Sequence, residues 1–255
     1  MHIHQLLFSP TGGTKQVSEH LAIGLQQAAS HTTITDLCVN AQHFTIPNLA
    51  EDDLVILAMP VLAGRVPAFA IERLRAIPSH QARCVVVAVY GNRAYDDALL
   101  ELKDEAQKQG YRVIAAVGAI AEHSIIRDYG HGRPDAQDRT ELHAFAKRIA
   151  QKIANGDDST PTVPGQYPYK QPIACPQPTA DSHCDQCGLC VRLCPTGAIP
   201  QDNLKSVDKD KCISCMRCVS VCPTHARGIG KMKRFLIAQM LKKPCATRKQ
   251  NELYL

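Results

Sequence analysis

Eight of the twelve cysteines lie in one short stretch of the chain, between Cys184 and Cys222. They form two runs of the same spacing, CDQCGLCVRLCP and CISCMRCVSVCP, and each run reads C-x2-C-x2-C-x3-C-P. The second run lies 28 positions after the first, and the Pro-Thr pair that follows each fourth cysteine is repeated with it. In a reducing compartment such a group of thiols is more often a metal site than a set of disulfides. The stretch therefore contains two copies of one metal-binding unit.

The repeated run resembles the bacterial two-cluster ferredoxins over about 45 residues, with the fourth cysteine of each run binding the other run's cluster. The resemblance implies two sets of ligands for [4Fe-4S] clusters: Cys184, Cys187, Cys190 and Cys222 for one cluster, and Cys212, Cys215, Cys218 and Cys194 for the other. Structural zinc is the alternative, although zinc ribbons usually pair two C-x2-C dipeptides across a longer gap. The remaining cysteines lack ligand spacing, and we expect them to be inert thiols: Cys38, Cys84, Cys175 and Cys245.

A second candidate site follows the first apolar run of the chain, at residues 3–8. The sequence SPTGGT occupies residues 9–14 and leads into a helical pattern. Small residues let backbone N–H groups converge, and the hydroxyls of Ser9, Thr11 and Thr14 add donors, so the loop is suited to hold a phosphate. It has neither the lysine of a Walker loop nor the glycine spacing of a dinucleotide-binding loop. A tight strand-to-helix turn without a ligand is the alternative.

This loop resembles the S/T-x-T-G-x-T phosphate loop of flavodoxins, and the resemblance extends over about 150 residues. It implies a five-stranded sheet of order 2-1-3-4-5 that binds FMN at its switch point. The phosphate contacts implied in this chain are Ser9, Thr11, Gly12, Gly13 and Thr14. In that family the loops after the third and fourth strands hold the flavin ring. The corresponding residues here are Pro60, Val61, Ala63, Gly64, Arg65, Tyr90, Gly91, Asn92, Arg93 and Tyr95.

Several of these ring contacts carry more specific expectations. Gly64 and Gly91 would permit close approach of the backbone, and Tyr95 is expected to cover one side of the ring. The first of these loops has no aromatic residue, which would leave the other side open to a substrate or to a second redox centre. Arg65 or Arg93 could stabilise an anionic reduced flavin, or either could be a solvated surface arginine.

One histidine also lies near the expected ligand edge, because Glu122, His123 and Ser124 follow the fifth predicted strand. A histidine at a strand end is most often a hydrogen-bonding loop residue, and a proton-donating role is the minority interpretation. The sequence therefore identifies no catalytic residue.

Residues 1–154 alternate between apolar runs and amphipathic patterns, which predicts parallel strands covered on both faces by helices. The predicted strands are residues 3–8, 33–37, 54–59, 84–90 and 113–121. Thr14 is expected to cap a first helix that has Val17, Leu21, Leu25 and Ala28 on one face. Asp96 is expected to cap a later helix. A last helix carries its apolar face between residues 142 and 153. The fold predicted is α/β, a flavodoxin-like doubly wound sheet, followed by a small α+β ferredoxin-like domain.

The domain organisation follows from changes in composition along the chain. Residues 1–154 form the predicted FMN-binding domain, and residues 155–180, with six prolines, form a linker. Residues 181–228 form the ferredoxin-like domain. Residues 229–255 form a basic tail with seven Lys or Arg residues and one acidic residue.

The tail contains a helical pattern, KMKRFLIAQMLKK, beginning at Lys231. Its apolar face holds Met232, Phe235, Leu236, Gln239 and Met240. We expect this face to dock on the body of the protein. The alternatives are a landing surface for an acidic partner and, third, a membrane surface.

Composition restricts the class of protein further. Of the 255 residues, 45% are hydrophobic and 21% are charged, which is typical of a globular protein and excludes wholesale disorder or a fibrous repeat. No apolar run reaches the roughly 18 residues of a membrane helix, and no basic residue precedes the first apolar stretch, so we expect no membrane span, no signal peptide and a cytoplasmic location. The net charge of +5 resides in the tail and does not require nucleic acid as a partner.

The combined pattern resembles anaerobic bacterial flavodoxin-ferredoxin fusion proteins. The resemblance implies electron transfer between two [4Fe-4S] clusters and FMN, and a redox partner protein such as a ferredoxin-like donor or a reductase. An FMN-dependent reductase of a small-molecule acceptor is the alternative, so the sequence leaves open whether the protein is an enzyme. An interaction or sensing protein with an empty flavodoxin half is a third class. The sequence does not determine the oligomeric state.

Overall fold

The computed structural model describes residues 1–26, 31–39 and 44–255. Five parallel strands form most of its main sheet, and each coincides with a predicted strand to within two residues. They are β1 (His2–Leu7), β2 (His31–Asp36), β3 (Leu54–Pro60), β4 (Arg83–Tyr90) and β5 (Arg112–Ile120). A sixth strand at the far end of the chain, β8 (Glu252–Tyr254), pairs antiparallel with β5. The strand order is β2-β1-β3-β4-β5-β8.

The inner strands of this sheet are buried on both faces. Strands β1, β3, β4 and β5 consist mostly of buried apolar residues because the crossover helices cover both sides, whereas β2 lies at an edge and is largely exposed. The order 2-1-3-4-5 of the parallel strands defines a flavodoxin-like, doubly wound fold. The predicted fold class is confirmed, and the antiparallel edge strand is an addition to it.

Four helices cover the sheet: α1 (Gly13–Leu25), α2 (Ala68–Arg75), α3 (Ala98–Lys108) and α4 (Ala136–Ala154). Helices α1 and α4 share one apolar core, and α2 and α3 share the other. Gly24 allows α1 to approach α4 closely, since a Cβ atom there would lie 2.5 Å from the Cβ of Ala146. Within the described ranges, no helix combines the length and the apolar composition needed to cross a bilayer.

The cap predicted for α1 was wrong. The helix begins at Gly13, and Gly12 is its N-cap residue with φ of +94°. Thr14 lies buried inside the first turn and does not cap it. Ala28, which the pattern places on the buried face, lies outside the described residues.

The cap predicted for α3 was also wrong. This helix begins at Ala98 after Asp97. Asp96 instead forms ion pairs with Arg93 and with Lys170, which belongs to the predicted linker. Because ion pairing and capping both need the same carboxylate, the sequence alone could not separate the two roles.

Residues 155–178 contain no helix or strand, as their prolines predict, but they are not a free spacer. The carboxylate of Asp97 accepts hydrogen bonds from the backbone N–H groups of Gln166, at 3.1 Å, and Lys170, at 2.8 Å. The hydroxyl of Tyr169 donates to Asp104 on α3. These contacts attach the segment to the flavodoxin-like half along α3.

The cysteine-rich segment forms a small module of short elements. These are β6 (Thr179–Ala180), α5 (Leu189–Arg192), α6 (Arg217–Ser220) and β7 (Arg227–Gly228), with β6 and β7 antiparallel. Helices α5 and α6 occupy equivalent positions in the two cysteine runs, since their bounds differ by the 28 residues of the repeat. The backbone thus reproduces the duplication seen in the sequence.

The tail begins with α7 (Lys231–Lys242), as predicted, but the helix presents its apolar face to solvent. Met232 is 72% exposed, Phe235 58%, Leu236 54% and Met240 74%. The expectation that this face docks on the body is therefore wrong. On its attached side, the backbone oxygen of Ala238 accepts a hydrogen bond from the Tyr129 hydroxyl at 2.8 Å.

The last residues of the chain, 244–255, form a strap that returns to the flavodoxin-like half. Buried Asn92 donates from Nδ2 to the backbone oxygens of Cys245, at 3.1 Å, and Thr247, at 3.0 Å, and its Oδ1 accepts from the Lys249 N–H at 3.0 Å. Asn251 accepts from the Ile120 N–H at 3.0 Å and donates to the buried Asp138 carboxylate at 2.9 Å. The strap ends as β8 on the sheet.

We expect the substitution Asn251→Ala to lower the free energy of unfolding by about 1–3 kcal/mol, because it leaves the buried Ile120 N–H without an acceptor and removes one donor from the buried Asp138 carboxylate. Urea unfolding monitored by circular dichroism measures the loss. The exposed neighbour Gln250 provides the control, and Gln250→Ala should change the unfolding free energy by less than about 0.5 kcal/mol. Equal effects of the two substitutions would show that the strap is not held by Asn251.

Candidate functional site

The loop between β1 and α1 is shaped to hold an anion. Gly12 adopts a left-handed conformation, and a Cβ atom added there would meet open space. The loop closes on itself, because the Lys15 N–H donates to Ser9 Oγ at 2.9 Å. Across the described residues, no protein group accepts from the backbone N–H groups of Thr11 through Thr14.

Charge at this helix end also favours an anion. Helix α1 has 13 residues and no acidic residue in its first turn, so its N-terminal dipole is not compensated by a carboxylate. Gly13 brings the helix start against the end of β5, since a Cβ atom there would lie 2.7 Å from the Cβ of Ala121. The free N–H groups, the dipole and the open space above Gly12 together fit a phosphate group.

The loop after β3 is a tight turn in which Leu62 and Arg65 exchange backbone hydrogen bonds of 2.9 and 3.0 Å. Ala63 and Gly64 at its tip have φ values of +56° and +83°. The Arg65 guanidinium makes two hydrogen bonds of 2.8 and 2.6 Å with the Glu101 carboxylate, which raises the pKa of Arg65. Its charge is therefore already balanced within the chain.

Residues of the loop after β4 mostly contact the strap. Asn92 is buried under residues 245–249, and Arg93 forms an ion pair with Asp96. Tyr95 packs its ring on Gly118 of β5, and its hydroxyl bonds with Glu252 and with Tyr254 at 2.9 Å. For these residues the structure shows roles in packing and charge balance that compete with flavin contact.

Contacts of this chain with a flavin ring therefore stay a prediction. The structure does bring the two loops to the same edge of the sheet, because Val61 donates its N–H to the Val89 oxygen at 2.8 Å. Pro60, at the end of β3, is half-buried, and Tyr90, at the end of β4, is buried. Gly91 is half-buried.

His123 lies beside Gly91 at this edge. A Cβ atom on Gly91 would lie 2.7 Å from the Cβ of His123. The ring accepts two backbone N–H groups at Nδ1, from Ile125 at 3.2 Å and Ile126 at 3.1 Å, which leaves the proton of the neutral ring on Nε2. Burial and the nearby Arg93 charge lower the pKa of His123 to about 4. Near neutral pH the ring can donate a hydrogen bond but carries no additional proton to transfer.

The cysteine module repeats its local backbone conformation at three pairs of positions 28 residues apart. All six residues have φ between +50° and +75°, and the pairs are Gln186 with Ser214, Gly188 with Met216, and Gly197 with His225. Each positive φ lies between or just after the cysteines of its run. Successive turns of this type direct backbone N–H groups toward one point, which suits the anionic sulfurs of a cluster.

One of the two predicted ligand sets lines a common cavity. We call it the inner set, and it consists of Cys194, Cys212, Cys215 and Cys218. Cys194 comes from the first run and the other three from the second, as the crossed ligation of two-cluster ferredoxins implies. Burial raises the pKa of Cys215 to about 11 and of Cys218 to about 12. The Ala198 N–H donates to Cys194 Sγ at 3.3 Å.

The other ligand set lies nearer the surface. This outer set consists of Cys184, Cys187, Cys190 and Cys222. Cys187 is exposed, and the other three are half-buried. Burial raises the pKa of Cys222, but hydrogen bonds to its sulfur from the chain that follows, including the backbone of Arg227 and Ala226, lower it overall.

None of the twelve cysteines forms a disulfide. The structure, over its described ranges, holds no group of three His, Cys, Asp or Glu side chains arranged for a single metal ion. Two observations therefore support cluster binding: the inner set combines cysteines of both runs in one cavity, and backbone N–H groups are directed at the cysteine sulfurs.

The second cysteine run lies against the flavodoxin-like half. Ile213 packs on the core that contains β3 and α2, and it shares a cavity wall with Leu62, Ala63 and Val66 of the loop after β3. Arg217 lies close enough to Cys38 for its charge to lower the pKa of that thiol, which burial raises. Cys38 Sγ in turn accepts the Ser9 N–H of the phosphate loop at 3.1 Å. The inner set thus adjoins the edge that carries the predicted flavin site.

Comparisons with known proteins agree with this architecture. Residues 183–226 match the family model described as a 4Fe-4S dicluster domain. The comparison with curated proteins found no match. The chain therefore joins a flavodoxin-like half, defined by its strand order, to a 4Fe-4S dicluster domain.

Solved structures include several flavodoxins similar to the first half. A flavodoxin from the domain Archaea is 15% identical with a TM-score of 0.46, and covers 60% of this chain and 99% of its own. The two-electron reduced flavodoxin of Megasphaera elsdenii is 15% identical with a TM-score of 0.42, and covers 57% of this chain and 98% of its own. An NAD(P)H:quinone oxidoreductase from Methanothermobacter marburgensis is 13% identical with a TM-score of 0.39, covering 60% and 97%. The strand order, and not these likenesses, defines the fold.

The substitution Gly12→Asp should weaken FMN binding by at least about 100-fold, or about 2.7 kcal/mol, because it places a carboxylate where the phosphate is expected. Fluorescence titration of flavin-free protein with FMN measures the affinity. Gly156→Asp is the matched control, because Gly156 also has positive φ and open space but lies after α4. Equal FMN affinity of the two variants would contradict the assignment of the loop.

Proposed function

We propose that the chain is an electron-transfer protein that carries two [4Fe-4S] clusters and one FMN and passes electrons between them. The inner set and the outer set would each hold one cluster, and residues 9–14 would hold the FMN phosphate. Clusters exchange one electron at a time, whereas a flavin can take up two, so the pair would convert between one-electron and two-electron carriers.

The single observation that supports this proposal most is the position of the second cysteine run. Ile213 follows directly on Cys212 of the inner set and packs against the flavodoxin-like half beside the loop after β3. Arg217 of the same run lies near Cys38, which bonds to the phosphate loop at Ser9. A cluster in the inner set would therefore be adjacent to a flavin in the predicted site.

The chain's own residues would contribute binding, orientation and exclusion of water. The N–H groups of residues 11–14 would bind the phosphate, and the turn of residues 62–65 would approach the ring through Gly64. His123 would offer a neutral Nε2–H donor at the same edge, held in that tautomer by the two N–H groups at its Nδ1. The strap closes the loop after β4 from outside.

Protein purified without oxygen should contain about eight iron atoms, about eight sulfides and about one FMN per chain. Cys218→Ser should lower the iron content while FMN is retained, because Cys218 belongs to the inner set only. Cys175→Ser, at a half-buried cysteine outside both sets, should leave iron and FMN unchanged. In stopped-flow experiments, bleaching of the flavin should follow reduction of the clusters in the native protein and be slowed at least tenfold in Cys218→Ser.

Two zinc atoms per chain, or protein without FMN, would contradict the proposal. Flavin reduction that is equally fast in Cys218→Ser would show that electrons do not pass through the inner set. Steady-state turnover of a small acceptor that depends on FMN would favour the alternative, a reductase.

We also propose that α7 is the docking surface for an external redox partner with an acidic surface. Its four exposed apolar side chains lie among five basic residues, Lys231, Lys233, Arg234, Lys242 and Lys243, and the helix contains no acidic residue. A negatively charged partner complements this surface, and its approach would be steered electrostatically. The helix begins nine residues after Cys222 of the outer set and contacts the loop after β5 through Tyr129.

The double substitution Lys231→Glu and Lys233→Glu should lower the second-order rate of electron uptake from a reduced acidic ferredoxin by at least tenfold at low salt. The difference should shrink as salt is added, because salt screens surface charge. Stopped-flow absorbance measures the rate. Lys147→Glu with Arg148→Glu, on exposed positions of α4, is the control with the same change of charge. Equal rates in both variants would refute the surface, as would binding of α7 to phosphatidylserine vesicles with no effect on electron uptake.

A further inference from the structure

The two cysteine runs differ in charge at equivalent positions. Arg217 and Arg227 of the second run replace Leu189 and Ile199 of the first, counted by the 28-residue shift. In the opposite sense, Ile213 of the second run occupies the position of Asp185 in the first. The charges of Asp185 and Arg192 cancel in residues 184–200, whereas the equivalent residues 212–228 hold two arginines and no carboxylate.

Arg227 is the more unusual of the two arginines because it is only 3% exposed. Its guanidinium donates to three backbone oxygens, those of Pro178 at 3.2 Å, Leu204, and Ser206 at 3.3 Å. No carboxylate of the described residues pairs with it, and its buried Nε–H has no acceptor. An arginine buried without an anionic partner is costly, so an anion is expected beside it.

The inner set supplies that anion. Pro178, whose backbone oxygen accepts a hydrogen bond from Arg227 at 3.2 Å, lines the same cavity as the four cysteines of this set. Arg217 lines the inner-set cavity itself, and its Nε–H is likewise buried without an acceptor. A [4Fe-4S] cluster with four thiolate ligands is negatively charged and would pair with both guanidinium groups.

The outer set has charged neighbours of both signs, and both are exposed. Asp185 lies directly after Cys184, and its carboxylate accepts the Cys187 N–H at 3.2 Å. The basic side chain of Arg192 donates to the Cys187 oxygen at 3.1 Å, and because Asp185 and Arg192 are both exposed, water and salt screen their charges. Buried Arg227 contacts the outer set only through its backbone N–H, which bonds to Cys222, whereas its guanidinium is directed to the oxygens of Pro178, Leu204 and Ser206.

Net charge, hydrogen bonds to sulfur and exposure set the reduction potential of such a cluster. Burial alone would disfavour a further electron in the inner cluster, because added negative charge is less well solvated there. The two guanidinium groups oppose this effect, and because their surroundings are also shielded from water, their charge is weakly screened.

We propose that Arg227, assisted by Arg217, raises the reduction potential of the inner cluster above that of the outer cluster. This inference rests on the proposed function. With both clusters bound, this difference in potential would favour transfer of one electron from the outer set's cluster to the inner set's cluster, which adjoins the predicted flavin site. No bond forms or breaks in this step. Arg227 acts through the cluster environment and is a positioning residue.

Potentiometric titration of the complete protein, monitored by low-temperature EPR, tests the proposal. Arg227→Gln should lower the higher of the two midpoint potentials by at least 59 mV and leave the lower one unchanged. A shift of 59 mV is a tenfold change in the equilibrium constant of a one-electron couple. Arg227→Lys should retain most of the native value because it keeps the charge. Arg192→Gln in the first run is the matched control and should move neither midpoint.

An unchanged higher midpoint in Arg227→Gln, or a shift of the lower one instead, would overturn the proposal. If Arg227→Gln does not assemble its clusters, Arg217→Gln, at a less buried site, decides the question by the same titration. The shift should persist in the flavin-free Gly12→Asp background. Protein that lacks two clusters would reject the proposed function itself, whereas two clusters with unmoved midpoints would reject only this inference.

Discussion

The arrangement of the molecule depends on the attachment of the cysteine module to the flavodoxin-like half by the segments before and after it. Before the module, the carboxylate of Asp97 binds the backbone of residues 166 and 170. After it, the strap is held by Asn92 and by Asn251, which bonds to the fully buried carboxylate of Asp138. Electron transfer between fixed centres needs a constant separation, and attachment on both sides limits how far the module can move from the sheet edge. A single flexible linker could not impose this limit.

Asp138 is the central group of the second attachment. Its carboxylate receives the Arg133 guanidinium, the Asn251 amide and the Asp135 N–H. Burial alone would raise the pKa of Asp138, but these donors lower it, so the group stays ionised and anchors the strap. The start of α4, the end of β5 and the end of the chain therefore meet at one buried charge.

Sequence patterns predicted the parts of the fold that depend on local periodicity. The five parallel strands and α4 follow from apolar runs and helical spacing. The inner set brings cysteines of both runs into one cavity, as their spacing predicts. The three-residue strand β8 has no such signal, because its place is determined by a pairing with β5 from the far end of the chain. The same limit applies to Arg65 and Asn92, whose partners Glu101 and the strap are distant in sequence. A run of basic and apolar residues likewise could not show which face of α7 would contact the body.

The duplicated module also shows how two similar loops acquire different energetics. At two of the three positions with positive φ, the first run has Gly188 and Gly197, whereas the second has Met216 and His225. Non-glycine residues in this conformation cost of order 1–3 kcal/mol each and persist only where the surroundings impose the backbone path. Four thiolates bound to one cluster would impose such a path, since ligation links Cys194 to the second run across the module. The second run has therefore given up local backbone preference while gaining Arg217 and Arg227. Under the proposed ligation, both changes would make its conformation and its electrostatics more dependent on a bound cluster than those of the first run.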